Sequence, residues 1–462
     1  MAQKFPTREN VKKILQNFGV SEGVIYLNGQ VLHERDDTDV EYPFRQESNF
    51  FYVTGVPEPD FHVVIDLATQ QVELYAPNIN PDHVMWMGMP DSLETLRAKY
   101  DIDEAFYVDK LNERLSKAST VYTLPIADRK LLEESKASVA DADKNKALYT
   151  AFVEARCVKA DWEVEVIRQA NKISSDAHVK LMQTVKQGMN EQELYALFLY
   201  ESVRHGALFQ SYYPIVGVGM NAATLHYNKN NAVMKEATDM VLVDAGAEYR
   251  CYASDITRAF PVGGKFSEEA KVIYSIVLDM QKACLAKCKA GVAWEDIHNT
   301  ATEVACDGLL KAGILVGSKQ DILANHVVAA FFPHGVGHML GLDVHDVGGY
   351  PEGVERIDAP GIRNLRMRRT LAKGHVVTVE PGVYFCDFLI DPVLKAAETG
   401  KYINQDMLNK YKSVGGVRIE DNILITEDGH INLTTAPKEI AEIEALMAAG
   451  ADQESKKRKL EA

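Results

Sequence analysis

The stretch Met240–Phe260 constrains this chain more than any other, because it places two aspartates in an apolar hairpin pattern. Its sequence is MVLVDAGAEYRCYASDITRAF. A reversal near Tyr249–Arg250 predicts that Asp244 and Asp255 lie roughly opposite each other, with their Cβ atoms about 5 Å apart. Two shielded carboxylates this close persist when one is protonated or when a cation lies between them. A pair of turn or edge aspartates is the alternative interpretation.

The size and charge of the chain favour a soluble cytoplasmic protein of two domains. A length of 462 residues exceeds one ordinary core, and 46% hydrophobic with 25% charged residues is typical of globular proteins. The net charge of −16 argues against nucleic acid or an anionic membrane as the main partner. We find no secretory signal and no run near the ~18 apolar residues of a membrane span. The six cysteines form no C-x-x-C pair, which fits a reducing compartment.

The first 155 residues predict an α/β domain, because short apolar runs alternate with helical stretches. Helices are predicted at Ser92–Tyr100 and Lys110–Ser116. The predicted strands are Gly23–Leu27, Phe50–Thr54, His62–Leu67, Val72–Ala76, Ala105–Val108 and Thr120–Leu124. The charged, helix-favouring composition of residues 127–160 predicts an interdomain helix, with the domain boundary near Ala155.

Residues 156–446 repeat one rhythm, a pair of helices followed by strands. In the first half, one helix begins at Asp161 and the next at the capping-box pattern of Asn190 and Glu193. In the second half, we predict a helix from Ser267, a helix over Trp294–Lys311, and strands at His375–Phe385 and Gly416–Thr426. The repetition predicts an α/β (α+β) fold with two structurally similar halves and a site between their sheets.

The last stretch, residues 447–462, is polar and contains the basic run Lys456–Lys459. We expect a disordered tail, since short basic runs are common at chain ends. A nuclear-localisation patch is the alternative.

Three histidines lie in a glycine-rich, largely apolar stretch, at His334, His338 and His345. The intervening Gly335 and Gly337 allow the backbone to approach a site closely. A lone histidine would more often be structural. Three imidazoles in such surroundings need polar partners, which makes a purely structural role for all of them improbable.

Two later strands add acidic residues. Glu380 ends the apolar run Val376–Val379 and precedes a turn, and a buried carboxylate there needs a partner. Further on, strand alternation places Arg418 and Glu420 on one face. A structural ion pair is the alternative for these last two residues.

Together these stretches predict a dinuclear metal site. Four carboxylates and one imidazole suit two divalent ions a few Å apart, with Mn²⁺ favoured by the oxygen-rich set and Co²⁺, Fe²⁺ or Zn²⁺ as alternatives. Two such ions can share a water, lower its pKa and hold it as hydroxide in front of a carbonyl. The predicted ligands are Asp244, Asp255, His338, Glu380 and Glu420.

The order of these motifs resembles the pita-bread (M24) metallopeptidases, the family of methionine aminopeptidase, aminopeptidase P and prolidase. The resemblance covers roughly residues 161–427, and all five metal-ligand positions are filled in the family order. The N-terminal segment is similar to the smaller domain of the prolidase and aminopeptidase P branch. The resemblance implies a homodimeric enzyme that hydrolyses the bond before proline in small Xaa-Pro peptides.

The resemblance also implies a division of the metal ligands. Asp244 and Glu420 would ligate one metal, and His338 and Glu380 the other. Asp255 would bridge both ions, as would one oxygen of Glu420.

Further roles come from the same resemblance. Glu380 would carry the proton from the metal-bound water to the leaving proline nitrogen. His226 and His345 would serve the proline site or the transition state, and His334 would contact substrate. Arg418 would hold Asp255 or Glu420 in place.

The segment 348–366 is especially similar to eukaryotic prolidase. In that family an arginine matching Arg366 reads the free C-terminal carboxylate of a dipeptide, a task that suits a bidentate guanidinium. A solvated basic strand formed with Arg363, Arg368 and Arg369 is the alternative. We therefore expect Xaa-Pro dipeptides as substrates, with an Xaa-Pro aminopeptidase acting on longer peptides as the alternative. A non-enzymatic pita-bread binding module or a metal-free hydrolase like creatinase fits less well, because the metal ligands are all present.

Overall fold

The structure is a computed structural model that describes the backbone of residues 4–461 and the side chains of residues 4–451. The side chains of the basic run Lys456–Lys459 therefore lie outside the described residues. The chain divides into two units, Met1–Trp162 and Glu163–Ala462, a few residues beyond the boundary expected near Ala155. None of the helices in the described range has the length and low charge content needed to cross a lipid bilayer.

The first unit is built on a five-stranded mixed sheet with the strand order β4-β3-β2-β1-β5. Its strands are β1 (Val24–Asn28), β2 (His62–Asp66), β3 (Val72–Ala76), β4 (Glu104–Tyr107) and β5 (Val121–Thr123). Its helices are α1 (Thr7–Phe18), α2 (Ser48–Thr54), α3 (Pro81–Met87), α4 (Leu93–Lys99), α5 (Leu111–Ser116), α6 (Arg129–Glu134) and α7 (Ala142–Cys157). Both faces of the sheet are largely buried, so the strands read as near-continuous apolar runs.

The prediction of a strand at Phe50–Thr54 is wrong, because these residues form most of helix α2. The Glu47 side chain caps that helix by accepting a hydrogen bond from the Phe50 N–H at 2.7 Å. Gly55 ends it in the left-handed conformation, with φ 67°. The run is buried on every side, so it carries no amphipathic periodicity that would distinguish a helix from a strand.

The second unit contains the remaining helices and strands. The helices are α8 (Asp161–Thr184), α9 (Glu191–Arg204), α10 (Glu268–Lys287), α11 (Trp294–Lys311), α12 (Lys319–Ala324), α13 (Asp387–Lys395), α14 (Ala397–Gly400), α15 (Gln405–Tyr411) and α16 (Ile440–Glu461). The strands are β6 (Phe209–Gln210), β7 (Ile215–Val218), β8 (Met240–Asp244), β9 (Ala247–Glu248), β10 (Thr257–Pro261), β11 (Val376–Val379), β12 (Gly382–Tyr384), β13 (Gly416–Arg418), β14 (Asp421–Ile425) and β15 (His430–Asn432).

The predicted repetition of two halves is confirmed. Helices α8 and α9 precede the antiparallel sheet β10-β8-β7, and helices α10 and α11 precede the antiparallel sheet β11-β14-β15. The short pairs β12-β13 and β6-β9 complete the unit. Local signals begin the helices where expected, since Asn190 and Glu193 form a complete capping box and Ser267 caps α10.

The chain end differs from expectation. Helix α16 spans Ile440–Glu461, so the tail expected to be disordered from residue 447 begins inside a helix. Met447 is buried, with 5% of its surface exposed, and Gly450 is buried as well. This part of the tail packs in the core of the second unit, because Met447 supplies an apolar side chain one turn after the buried Ile443.

Candidate metal centre

The hairpin at Met240–Phe260 turns at the expected place. Arg250 and Cys251 both have positive φ, 51° and 64°, and Tyr249 and Tyr252 exchange backbone hydrogen bonds across them. Two consecutive positive φ angles define a type I′ turn, whose twist matches the flanking strands. The prediction of a tight reversal is confirmed.

The register of this hairpin corrects the predicted position of the two aspartates. Asp244 lies opposite Thr257, not opposite Asp255. Asp255 precedes Thr257 by two residues, so it shares the same face and is a diagonal neighbour of Asp244. The carboxylates still converge, because Asp244, Asp255 and Glu420 each offer an oxygen within 4.8 Å of the others.

The second sheet brings Glu420 and Asn422 to this face. The Glu420 N–H donates to the Thr257 carbonyl at 3.1 Å, and its Oε2 accepts from Thr257 Oγ1 at 2.7 Å. Asn422 brackets Asp255, since its Oδ1 accepts from the Asp255 N–H at 2.9 Å and its Nδ2 donates to the Asp255 carbonyl. The site therefore forms between the two halves, as the repeated rhythm predicted.

Strand β11 fixes His338 beside Glu380. The Thr378 N–H donates to the His338 carbonyl at 2.9 Å, and the Glu380 N–H donates to the Val336 carbonyl at 2.9 Å. The His338 ring then lies with Nε2 3.4 Å from Asp255 and 3.5 Å from Glu380. His338, Glu380 and Glu420 form a second group whose ligand atoms lie within 4.8 Å of one another.

The protonation of this cluster follows from its burial. Burial raises the pKa of Asp255, and the like charges of Asp244 and Glu380 raise it further. Burial likewise raises the pKa of Glu420 and of Glu380. The negative charge of Asp255 raises the pKa of Glu420 further, and that of Glu420 raises the pKa of Glu380 further. Burial lowers the pKa of His338 to about 4, so its ring is neutral near pH 7.

Three observations indicate that divalent metal ions fit this donor set. His338 Nδ1 lies 2.9 Å from the Met339 carbonyl, which can only accept, so Nε2 presents a lone pair to two carboxylates. Glu420 Oε1 is buried without a hydrogen-bond partner among the described residues. The Tyr212 hydroxyl lies 2.5 Å from Asp244 and 2.6 Å from Asp255, although it has one proton to donate. Hydrogen-bond acceptors that face one another in a buried site repel each other, and a cation bound between them would relieve this repulsion.

Tyr212 is a site residue that sequence reasoning missed. It lies in a polar-aromatic segment before β7, with no motif around it. Burial raises its pKa well above the usual value, and Asp244 and Asp255 raise it further. The hydroxyl therefore stays protonated and can act as a donor to the cluster.

The contacts of Arg418 differ from the expected ones. Its guanidinium pairs with Asp244, and not with Asp255 or Glu420. It also donates to Thr257 Oγ1 at 3.0 Å and to the Tyr384 hydroxyl at 2.9 Å. Arg418 is 3% exposed, so it is a buried positive charge that orients one acidic member of the cluster.

Tyr384, also missed from the sequence, connects Arg418 to His334. Its hydroxyl lies 2.8 Å from His334 Nε2, while His334 Nδ1 lies 2.8 Å from the Gly335 carbonyl. Because Nδ1 can only donate to the Gly335 carbonyl, Nε2 carries the lone pair and accepts a hydrogen bond from the Tyr384 hydroxyl. Both His334 nitrogens are thus engaged by the protein.

A cavity of about 660 Å³ opens in front of the cluster. All five predicted metal ligands line it, as do His334, Arg418 and the missed Tyr212. His226, His345 and Arg366 also line it and are exposed to it. The structure therefore brings every predicted site residue to one cavity.

His345 lies at the edge of the carboxylate and histidine cluster. Its ring packs edge-on against His338, with centroids 4.4 Å apart, and it forms a ligand-capable group with Asp255 and His338. Desolvation lowers the pKa of His345 to about 3, because the protonated ring is disfavoured there, and repulsion from His338 and Arg366 disfavours it further. The neutral ring keeps one N–H donor at neutral pH.

The chain is similar to known proteins both in sequence and in structure. Residues 165–427 match the model of the metallopeptidase family M24, and residues 7–123 match the aminopeptidase P N-terminal domain. The chain is 44% identical to a probable Xaa-Pro aminopeptidase of Coccidioides posadasii over 97% of this chain and 98% of that protein. It is 44% identical to a probable Xaa-Pro aminopeptidase of Botryotinia fuckeliana over 96% and 97%.

Solved structures agree with this assignment. Zinc-substituted aminopeptidase P of E. coli, in complex with product, superposes with a TM-score of 0.81 at 30% identity, covering 97% of this chain and 99% of that one. Aminopeptidase PepP of Pseudomonas aeruginosa superposes with a TM-score of 0.81 at 31% identity and the same coverage. The chain therefore belongs to the M24 metallopeptidases and carries the N-terminal domain of aminopeptidase P.

Proposed function

We propose that this metallopeptidase is an Xaa-Pro aminopeptidase that removes the N-terminal residue from peptides with proline at the second position. The observation that carries the proposal is the similarity to proteins named Xaa-Pro aminopeptidase along 97% of the chain. The carboxylate and histidine cluster in the 660 Å³ cavity supports the chemistry. The relatives named Xaa-Pro aminopeptidase favour this activity over the dipeptidase expected first from the sequence.

We further propose that two divalent ions occupy the cluster, with manganese best suited to an oxygen-rich set. The ligands would be Asp244, Asp255, His338, Glu380 and Glu420. Bound there, the ions would activate a water molecule and polarise the scissile carbonyl. Two dications would also offset the charge of four buried carboxylates, which supports two ions over one.

The remaining residues would position and protonate the substrate. Glu380, whose pKa is raised by burial and Glu420, can accept a proton from the attacking water and pass it to the proline nitrogen. His345 can donate a hydrogen bond to the substrate oxygen on which negative charge develops. His226 would contact the proline side of the substrate, and His334 would support that wall from behind.

An Xaa-Pro dipeptidase is the second candidate, and Arg366 is the observation that favours it. The Arg366 guanidinium lines the cavity, and no hydrogen bond or ion pair engages it among the described residues. A free guanidinium of this kind suits a dipeptide carboxylate. In an aminopeptidase the same group would contact a carbonyl further along the peptide.

Substrate length separates the two candidates. We expect Gly-Pro-Xaa tripeptides to be cleaved with a kcat/KM about tenfold or more above that of Gly-Pro, equivalent to ~1.4 kcal/mol in the transition state. Arg366→Ala should then reduce kcat/KM for each of the two substrates by less than about tenfold. Arg363→Ala, which removes a neighbouring exposed arginine, is the matched control. If the wild type prefers Gly-Pro, and Arg366→Ala but not Arg363→Ala loses this preference, the protein is a dipeptidase and the aminopeptidase proposal is wrong.

Assembly and compartment complete the proposal. A homodimer follows from the family resemblance, and sedimentation of the purified chain would test it. The six cysteines are all free, which supports a reducing compartment such as the cytoplasm. A non-enzymatic binding module is less well supported, because an intact buried ligand set has no evident use in one. Metal analysis of the purified protein separates the two.

A further inference from the structure

Glu191, at the start of helix α9, is a fully buried carboxylate outside the metal cluster. Its exposed fraction is 0%, and it lies directly after the N-cap residue Asn190. No ion pair joins it to a lysine or arginine within the described part of the chain. Its negative charge is compensated instead by the helix N-terminus and by hydrogen-bond donors.

Four hydrogen bonds reach the Glu191 carboxylate, and all of them come from one segment, residues 218–232; the Glu191 N–H also donates to the Ala232 carbonyl at 2.9 Å. Oε1 accepts from the Val218 N–H at 2.8 Å and from Asn221 Nδ2 at 3.1 Å. Oε2 accepts from the Tyr227 hydroxyl at 2.9 Å and from the Ala232 N–H at 2.8 Å. One side chain therefore holds both ends and the middle of this segment.

The segment 218–232 carries one wall of the cavity, including His226. The His226 side chain is exposed and makes no hydrogen bond, ion pair or ring contact among the described residues. Its position therefore depends on the backbone around it. Tyr227, the next residue, is buried and anchored to Glu191, and Asn221 Nδ2 also reaches the Tyr227 hydroxyl at 3.1 Å.

The opposite side of the segment packs against strand β13. Gly415, with φ 74°, lies so close to the Gly219 carbonyl that a Cβ atom there would overlap with it. The segment is thus held between Glu191 on one side and the strand that carries Arg418 on the other. Loss of the carboxylate contacts would loosen the segment around Val218 and Tyr227, while the Asn190 side chain and the Glu191 N–H still hold its end at Asn231 and Ala232.

We propose that Glu191 is a positioning residue that holds His226 at the substrate side of the cavity. The inference rests on the proposed function, since it assigns His226 to substrate contact. The carboxylate form is needed because each oxygen accepts a backbone N–H, from Val218 and from Ala232. A glutamine amide can accept on one side only and would turn its NH₂ group towards a donor on the other.

The test combines Glu191→Gln with His226→Ala. We expect Glu191→Gln to lower kcat/KM for a Gly-Pro-Xaa substrate by about 10–100-fold, the loss typical of a slightly misplaced site residue. The affected parameter, kcat or KM, should be the one that His226→Ala changes. In the His226→Ala background the second substitution should have less than a twofold effect, because the residue it positions is gone. Glu193→Gln, an exposed residue of the same helix turn, is the matched control.

A second measurement keeps the two proposals separate. Hydrogen exchange of residues 224–228 should be at least tenfold faster in Glu191→Gln than in the wild type and in Glu193→Gln, with unchanged metal content. Equal activity losses in the wild-type and His226→Ala backgrounds would overturn the positioning role, and so would unchanged exchange. If the wild type cleaves no Xaa-Pro peptide, the proposed function fails, and the exchange experiment still decides the role of Glu191.

Discussion

Replacement of Arg418 by methionine removes a buried guanidinium from the edge of the proposed metal site while retaining much of its apolar volume. The lost contacts are the ion pair with Asp244 and the hydrogen bonds to Thr257 at 3.0 Å and Tyr384 at 2.9 Å. Without metal, the change leaves a buried carboxylate less compensated. We expect the free energy of unfolding of the metal-free protein to fall by about 3 kcal/mol, the lower end of values for broken buried pairs.

With metal bound, we expect the loss of Arg418 to lower metal affinity more than folding stability. Bound cations would compensate the charge of Asp244, so the main loss is the orientation of that ligand. Partners that orient metal ligands contribute about 10–100-fold to affinity, or ~1.4–2.7 kcal/mol. Arg418→Lys separates the two effects, because it keeps the positive charge but cannot reach all three partners with a planar fork.

The assay is chelator competition for Mn²⁺, combined with urea unfolding of the metal-free and metal-loaded protein. We expect Arg418→Met to bind Mn²⁺ at least tenfold more weakly than the wild type, and Arg418→Lys to fall between them. Arg366→Met, which removes an exposed arginine of the same cavity, should change affinity less than twofold. Wild-type Mn²⁺ affinity in Arg418→Met would refute the idea that this residue orients a metal ligand.

Three further predictions concern the cluster, the core and pH. Asp255→Asn should abolish peptide hydrolysis with little change in fold, measured by turnover and circular dichroism, and retained activity would contradict a bridging role. Arg258→Met removes a fully buried guanidinium that bonds Asp421 at 2.7 Å and several carbonyl groups, so urea unfolding should show a loss of about 3–5 kcal/mol, whereas a loss under 1 kcal/mol would contradict this. Burial lowers the pKa of His62 and of His298 from 6.5 to about 4, so only the unfolded chain takes up these protons between those values. Stability should therefore fall as pH drops from about 6.5 to 4, by up to ~3 kcal/mol for each histidine, and glutamine at both positions should flatten that part of the urea-unfolding pH profile.

Local signals in the sequence predicted much of the fold. The capping box of Asn190 and Glu193 and the helix Trp294–Lys311 occur as predicted, because caps and amphipathic periods act within a few residues. The same reasoning failed at Phe50–Thr54, where burial on all sides removes the periodicity. The strand predicted at His375–Phe385 divides into β11 and β12, which belong to different sheets. Sheet membership depends on distant partners that a local pattern does not contain.

The candidate metal site also combines features that the sequence predicts with contacts that only the tertiary structure reveals. The sequence by itself determined which acidic and histidine side chains could bind metal, because each stands in an apolar or glycine-rich run where an unpaired charge would be unfavourable. Only the tertiary structure decided that Asp255 is diagonal to Asp244, that Arg418 pairs with Asp244 across 174 positions, and that Tyr212 joins the cluster. The Arg418–Asp244 pair depends on how the two halves pack together, whereas the other two contacts depend on strand register and packing within the first half. Tyr212 carries no motif, so packing alone places its hydroxyl among the carboxylates.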